Sequence, residues 1–160
     1  MIAKAATISH GGNAVRYSVN KDKAEIVKVN FLPDDISAEA MFQRMVLKQK
    51  EFSSIINKGR PLKRNVIRME ISPTKEESAG WMLDDWVRLA NEYIQVFDSI
   101  DLSKKTKRTS AKSTNVKNSQ YVVALHHDAK SGIPHLHIDV NRVDMNGKVN
   151  DDHLIAERAM

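Results

Sequence analysis

Chemically useful side chains crowd into one window near the end of the chain. His126, His127 and Asp128 close an apolar run that opens at Tyr121. After a short loop come Pro134, His135-Leu136-His137 and then Asn141. Alternate residues of a strand share a face, so His135 and His137 project together, with Asp139 and Asn141 continuing on that side. On the preceding strand His126 and Asp128 share one face and His127 takes the other. Only one of the two adjacent histidines can therefore join the pair. Neutral imidazoles are good ligands for divalent metals, and three of them leave positions open for substrate oxygens. Asp128 or Asn141 is placed to orient a ligand imidazole from behind. A His-x-His pair alone is commonly incidental. A third histidine on an adjoining strand makes the pattern specific.

The elements that must position these groups are legible in outline. Strands are expected over Ile2–Ser9, Glu25–Leu32, Asn65–Ser72, Tyr121–Leu125 and Leu136–Val143, with a last short one at Lys148–Asn150 after the Asn146-Gly147 turn. A helix opens at Ala14 and carries Tyr17. A second, capped by Ser37, runs from Ala38 to Asn57. A third follows Ser78 and presents Leu83, Trp86, Val87, Ala90, Tyr93, Ile94 and Phe97 as one apolar face. Hairpins mixed with helices predict an α+β fold, a central largely antiparallel sheet of about five strands flanked by helices.

The 160 residues suit a single domain spanning 1–160, and the helical ending suggests the N-terminal part of something longer. The chain has no cysteine, which excludes disulfides, thiolate zinc sites and thiol catalysis. No apolar run is long enough to span a bilayer, and Met1-Ile2-Ala3-Lys4 does not begin a signal peptide. A cytoplasmic location is expected. The net charge of +5 is concentrated: Lys104, Lys105, Lys107, Arg108, Lys112 and Lys117 fall between Ser103 and Gln120 with no acid among them. This stretch reads as a basic flexible insert over 103–120, suited either to a polyanion or to simple solvation.

His126-x-Asp128, Pro134-His135-Leu136-His137 and Asn141-Arg142-Val143-Asp144 together resemble the three-histidine motif of mobilisation relaxases, which are HUH (His-hydrophobic-His) nucleases. The segment Gly11-Gly12-Asn13-Ala14-Val15-Arg16-Tyr17, with Asn20-Lys21-Asp22-Lys23-Ala24-Glu25-Ile26 after it, is similar to the N-terminal helix of relaxases from Bacteroides-type mobilisable elements. The longer spacing from Asp128 to Pro134 and the basic insert depart from that pattern. The resemblance implies a bacterial enzyme that nicks and rejoins single-stranded DNA at an origin of transfer, aided by accessory mobilisation and coupling proteins. It assigns the nucleophile to Tyr17, with His10 as the alternative. The metal, Mg²⁺ or Mn²⁺, falls to His126, His135 and His137, with His127 the alternative to His126. From the residues themselves, Asp128 and Glu70 are the candidate catalytic carboxylates, Glu70 on its predicted strand as general base for the phenol, and Asn141 the candidate support for the metal ligands. By their charge alone, Arg16, Arg142 and the basic residues of the insert are candidate phosphate contacts.

The residues themselves agree with this chemistry. A phenol with an ordinary pKa of about 10 is a poor nucleophile at neutral pH and needs activation. A nearby metal stabilises charge on phosphoryl oxygens. Two other classes fit the same histidines. A hydrolase of phosphoesters would use metal-bound water and tolerate Tyr17→Phe. A non-catalytic DNA-binding module would tolerate His135→Ala.

Overall fold

Period-two patterning in five segments builds one sheet. The computed structural model describes residues 1–160. Its strands are β1 (Ile2–Ile8), β2 (Glu25–Asn30), β3 (Val66–Ser72), β4 (Ser119–His126) and β5 (His135–Asp144). The helices are α1 (Gly11–Asn20), α2 (Ala38–Glu51), α3 (Ser53–Asn57), α4 (Leu83–Ser99), α5 (Ser103–Thr106) and α6 (Ile155–Ala159). The strand order is β1-β3-β5-β4-β2, and every neighbouring pair is antiparallel. This is the α+β architecture expected from the sequence. It places β5, which carries two of the histidines, at the centre.

The two faces of the sheet differ in what covers them. Ile67, Met69 and Ile71 of β3, Leu136, Ile138 and Val140 of β5, and Tyr121, Val123 and Leu125 of β4 face α4. There they meet Trp86, Leu89, Ala90, Ile94 and Phe97, the apolar stripe of that helix, in the main core. Trp81 packs edge-on against Trp86, 4.9 Å between ring centroids, so both indoles belong to this core. The helix begins at Leu83 rather than after Ser78, because Asp85 reaches back to accept from the Met82 N–H at 2.9 Å.

The opposite face is only partly covered. Helices α1 and α2 close one half of it with Val15, Met41 and Met45 against Val66 and Val122. Ser37 caps α2 as expected, its hydroxyl accepting from the Ala40 N–H at 3.1 Å. The helix stops at Phe52 and resumes as α3, so the expected continuous run to Asn57 is broken.

Helix α1 starts at Gly11, earlier than the sequence pattern predicts, and both glycines lie inside it. Packing explains why. A Cβ on Gly11 would stand 2.4 Å from Val66 Cγ2 and 2.9 Å from the Phe42 ring, so only glycine lets α1 approach β3 and α2 this closely. Gly11→Ala is expected to cost about 1–3 kcal/mol of overpacking. It should also displace Tyr17, carried on the same short helix. Thermal denaturation checks the first effect, and a structure of the variant the second.

The stretch 103–120 is more ordered than the expected flexible insert. It holds α5 and two short 3₁₀ turns, with Ala111 and Val116 fully buried. Asp98 at the end of α4 organises it. Its carboxylate accepts from the Thr114 hydroxyl at 2.6 Å, the Val116 N–H at 2.8 Å and the Lys117 N–H at 3.0 Å. Further on, the expected strand at Lys148–Asn150 reduces to one bridge between Val143 and Val149. No helix is long and apolar enough to cross a membrane.

Candidate active site and metal centre

The uncovered half of the sheet is where the chemistry collects. The antiparallel register sets His126 of β4 opposite His135 of β5, and Glu70 of β3 opposite His137. His126, His135 and His137 are all buried, and each offers a ring nitrogen within 4.8 Å of the others. His127 points out of the opposite face, exposed, with Nε2 3.3 Å from Glu25. Between the two adjacent histidines, His126 is the one that joins the cluster.

The hydrogen bonds around these rings decide which nitrogens are free. His126 Nε2 lies 2.8 Å from the carbonyl oxygen of Ser18, a group that only accepts. Nε2 therefore carries the proton and Nδ1 keeps its lone pair. That carbonyl is in the last turn of α1, where it has no partner within the helix, so the imidazole also caps α1. His135 Nδ1 points to the Ile133 carbonyl at 3.4 Å, which leaves Nε2 free. Such support from a backbone carbonyl is what a metal-ligating histidine receives.

Two buried nitrogens, His126 Nδ1 and His137 Nε2, have no hydrogen-bond partner. Orphaned imidazole nitrogens facing one another fit a metal ion as the missing partner. Burial, helped by the neighbouring His126, Arg68 and His135, pushes His137 down to about 3. Burial also lowers His126, against the pull of the Ser18 carbonyl. Both rings are neutral at physiological pH, the form that binds metal.

Helix α1 delivers a tyrosine to this cluster. It buries Gly11, Ala14, Val15 and Ser18 against the sheet, and Tyr17 falls on the flank beside that stripe. The Tyr17 ring centroid is 5.5 Å from His126 and 5.6 Å from His137, while 41% of the residue remains exposed. Two cations attend the ring: Lys21 Nζ at 5.0 Å and the Arg68 guanidinium at 5.1 Å from its centroid. Lys21 is also paired with Asp128 at 3.1 Å, and Asp128 lies 3.8 Å from His126 Nδ1. The hydrogen bond from Lys21 holds the Asp128 carboxyl below its usual range. Tyr17, Glu70, Asp128 and His135 wall a single open cleft of about 520 Å³, together with Ile2, Ser72 and the loop residues Ala129, Ser131 and Ile133.

A tyrosine-bearing helix packs beside a three-histidine cluster carried by β4 and the central strand β5. The family model described as relaxase, MobA/VirD2-like, nuclease domain matches residues 16–160. The chain belongs to this relaxase family. No curated protein matches it. The chain is thus a relaxase nuclease domain, with a histidine triad suited to a divalent metal.

The relaxase does not gather all the residues expected at its site. Asn141 lies four residues along β5 from His137, about 13 Å away at strand spacing. Its side chain binds Gln49 at 2.8 Å, Gln120 at 3.0 Å and the Met45 carbonyl at 3.1 Å, which fastens α2 to the sheet. Arg142 is half-buried, paired with Asp152 at 2.9 Å and bonded to the carbonyls of Asn150 and Arg64. Arg16 is exposed on a different side of α1 from Tyr17 and bonds Asn13. His10 stands at the N-cap position at the far end of α1, without a side-chain cap bond, and lines another cleft with Lys63, Arg64 and Asp152. Within the basic stretch, Lys105 pairs with Glu157 and Arg108 with Asp151, while Lys104, Lys107, Lys112 and Lys117 are exposed and unpaired. This stretch adjoins the start of β4, about 23 Å of strand from His126.

Sequence reasoning missed Arg68, Lys21 and the depth of Asp139. Lys21 follows Tyr17 by one helical turn and Arg68 precedes Glu70 by one strand repeat, so both spacings carried a signal. Asp139, opposite Arg68, is fully buried with both carboxylate oxygens unpartnered. Burial pushes it up to about 6, against Ser18 and Arg68, which pull it down. A carboxyl raised in the folded state gives a contribution fully present below about pH 3.8 and lost as pH rises through about 6. Asp139→Asn is therefore expected to gain on the native protein as pH rises, by up to about 3 kcal/mol at pH 7. Denaturant melts of both proteins from pH 5 to pH 8, without metal or DNA, check this. Parallel stability curves would contradict it.

Proposed function

We propose that the relaxase nicks one DNA strand at an origin of transfer by transesterification, with Tyr17 as the nucleophile. The observation that carries this is the position of Tyr17, within 5.6 Å of two of the three clustered histidine rings and still partly open to the cleft. His126, through Nδ1, and His135 and His137, through Nε2, would hold the ion. When bound, the metal supplies Lewis-acid stabilisation of the phosphoryl oxygens. Of the two ions expected, Mn²⁺ suits an all-imidazole donor set better than Mg²⁺, which prefers oxygen.

Tyr17 Oη attacks the scissile phosphorus while the bond to the 3′ oxygen breaks. A 5′-phosphotyrosine and a free 3′-hydroxyl result, and the retained phosphodiester energy permits rejoining. Glu70, on the wall of the same cleft, takes the phenolic proton. Asp128 is the poorer base, because Lys21 stabilises its charged form. Its role is to hold Lys21 near Tyr17 and to face His126. The unpaired Lys104, Lys107, Lys112 and Lys117 engage phosphates away from the cleavage point.

Incubation with 5′-labelled and 3′-labelled oligonucleotides spanning a candidate origin, in Mn²⁺, tests the proposal. A denaturant-resistant adduct that carries only the 3′-side fragment is expected. Cleavage with both fragments free would instead indicate hydrolysis by water, and binding without cleavage a non-catalytic module.

A further inference from the structure

Arg68 is a cation at the histidine cluster that forms no ion pair with a carboxylate. Asp139, its partner across the β3–β5 ladder, keeps both oxygens without a hydrogen bond, so the guanidinium does not turn down to meet it. Arg68 instead reaches up the open face of the sheet. Its guanidinium lies 5.1 Å from the centre of the Tyr17 ring, and Nη2 is 3.4 Å from His137 Nδ1. Lys21, the other cation beside Tyr17, already has Asp128 at 3.1 Å.

The contact to His137 does not account for Arg68. At 3.4 Å it is long, and a guanidinium only donates. His137 can offer its orphaned Nε2 to a metal only as the tautomer with a proton on Nδ1, and that proton would face the Arg68 donors. A guanidinium has no acceptor for that proton, so Arg68 cannot hold His137 in its ligating tautomer. Unmet donors in a planar fork, between a nucleophile and a metal site, match the oxygens of a phosphate.

We infer that Arg68 is a catalytic residue that binds the non-bridging oxygens of the scissile phosphate, and then those of the phosphotyrosine. This rests on the transesterification reading above. The bonds exchanged are those of that reaction: Oη–P forms, P–O3′ breaks, the phenolic proton leaves to Glu70, and solvent protonates the 3′ oxygen. Arg68 keeps its proton and its charge throughout. Its donors stabilise the extra negative charge of the transition state and hold the covalent intermediate in place for rejoining.

The test is single-turnover cleavage by the wild type, Arg68→Ala, Arg68→Gln and Arg68→Lys, using the oligonucleotide that the wild type nicks. Titration calorimetry with Mn²⁺ runs in parallel. Arg68→Ala and Arg68→Gln are expected to slow cleavage at saturating DNA by about 10²–10³-fold, with Arg68→Lys intermediate and Mn²⁺ affinity unchanged in all three. One of the two phosphorothioate diastereomers at the scissile position, slow with the wild type, should lose much of its penalty in Arg68→Gln. Neutral variants that cleave within about threefold of the wild type would overturn the inference. So would a loss of Mn²⁺ affinity in step with rate, which would make Arg68 a support for His137. A wild type that cleaves without a covalent adduct would remove the transesterification reading and this inference with it.

Discussion

His137→Ala is expected to abolish metal-dependent nicking. His137 sits on the central strand, 2% exposed, with its ring centroid 4.3 Å from His126 and 5.0 Å from His135. Losing a hydrogen-bond partner of a ligating histidine commonly costs about 10–100-fold in metal affinity, so losing a ligand itself should cost more than about 100-fold. The fold should survive without metal, because the deleted ring carries a buried nitrogen with no partner in the native protein. Calorimetric Mn²⁺ titration and a nicking assay on the same preparation check the result. His127→Ala is the internal control. Its ring is exposed on the other face of β4, and metal binding and nicking should match the native protein. Equal losses in the two variants would contradict the assignment of His126.

Tyr17→Phe has the other large effect. The ring would keep its packing beside His126 and His137 and its contacts with Lys21 and Arg68. Only the hydroxyl is lost, so stability and DNA affinity should change little. If Tyr17 is the nucleophile, covalent adduct should fall below detection and nicking by several orders of magnitude. Residual cleavage without adduct would mean that water attacks instead. Full activity would move the nucleophile elsewhere. His10 is poorly placed for that role, since it stands at the opposite end of α1 and lines a different cleft.

The parts of this site that were legible in the sequence are those set by local periodicity. His135-Leu136-His137 alternates across β5, so two imidazoles must share a face and Leu136 must enter the core. Val66 to Ser72 alternates in the same way and brings Glu70 to that face. The strand order was not legible. Nothing in the local pattern tells β3 to lie between β1 and β5, and only that placement sets Arg68 beside Asp139 and beneath Tyr17.

Sequence proximity misleads in the other direction. Asn141 and Arg142 follow the histidines closely in the chain, but each strand residue advances about 3.3 Å, and both serve the far end of the sheet. The basic stretch looked like a flexible insert because its lysines dominate the composition. Its fold is set by Asp98, a residue of α4 outside the stretch, which holds Thr114, Val116 and Lys117.

The central claim is that the histidine cluster and Tyr17 form one metal-dependent transfer site. Mass spectrometry of the adduct tests it most directly. The relaxase is incubated with Mn²⁺ and the single-stranded oligonucleotide it nicks, denatured, and digested with protease and nuclease. A nucleotide attached through a 5′-phosphate to the peptide that contains Tyr17 is expected, and no such peptide when a chelator replaces Mn²⁺. Modification at another residue, or cut DNA with every tyrosine unmodified, would contradict it.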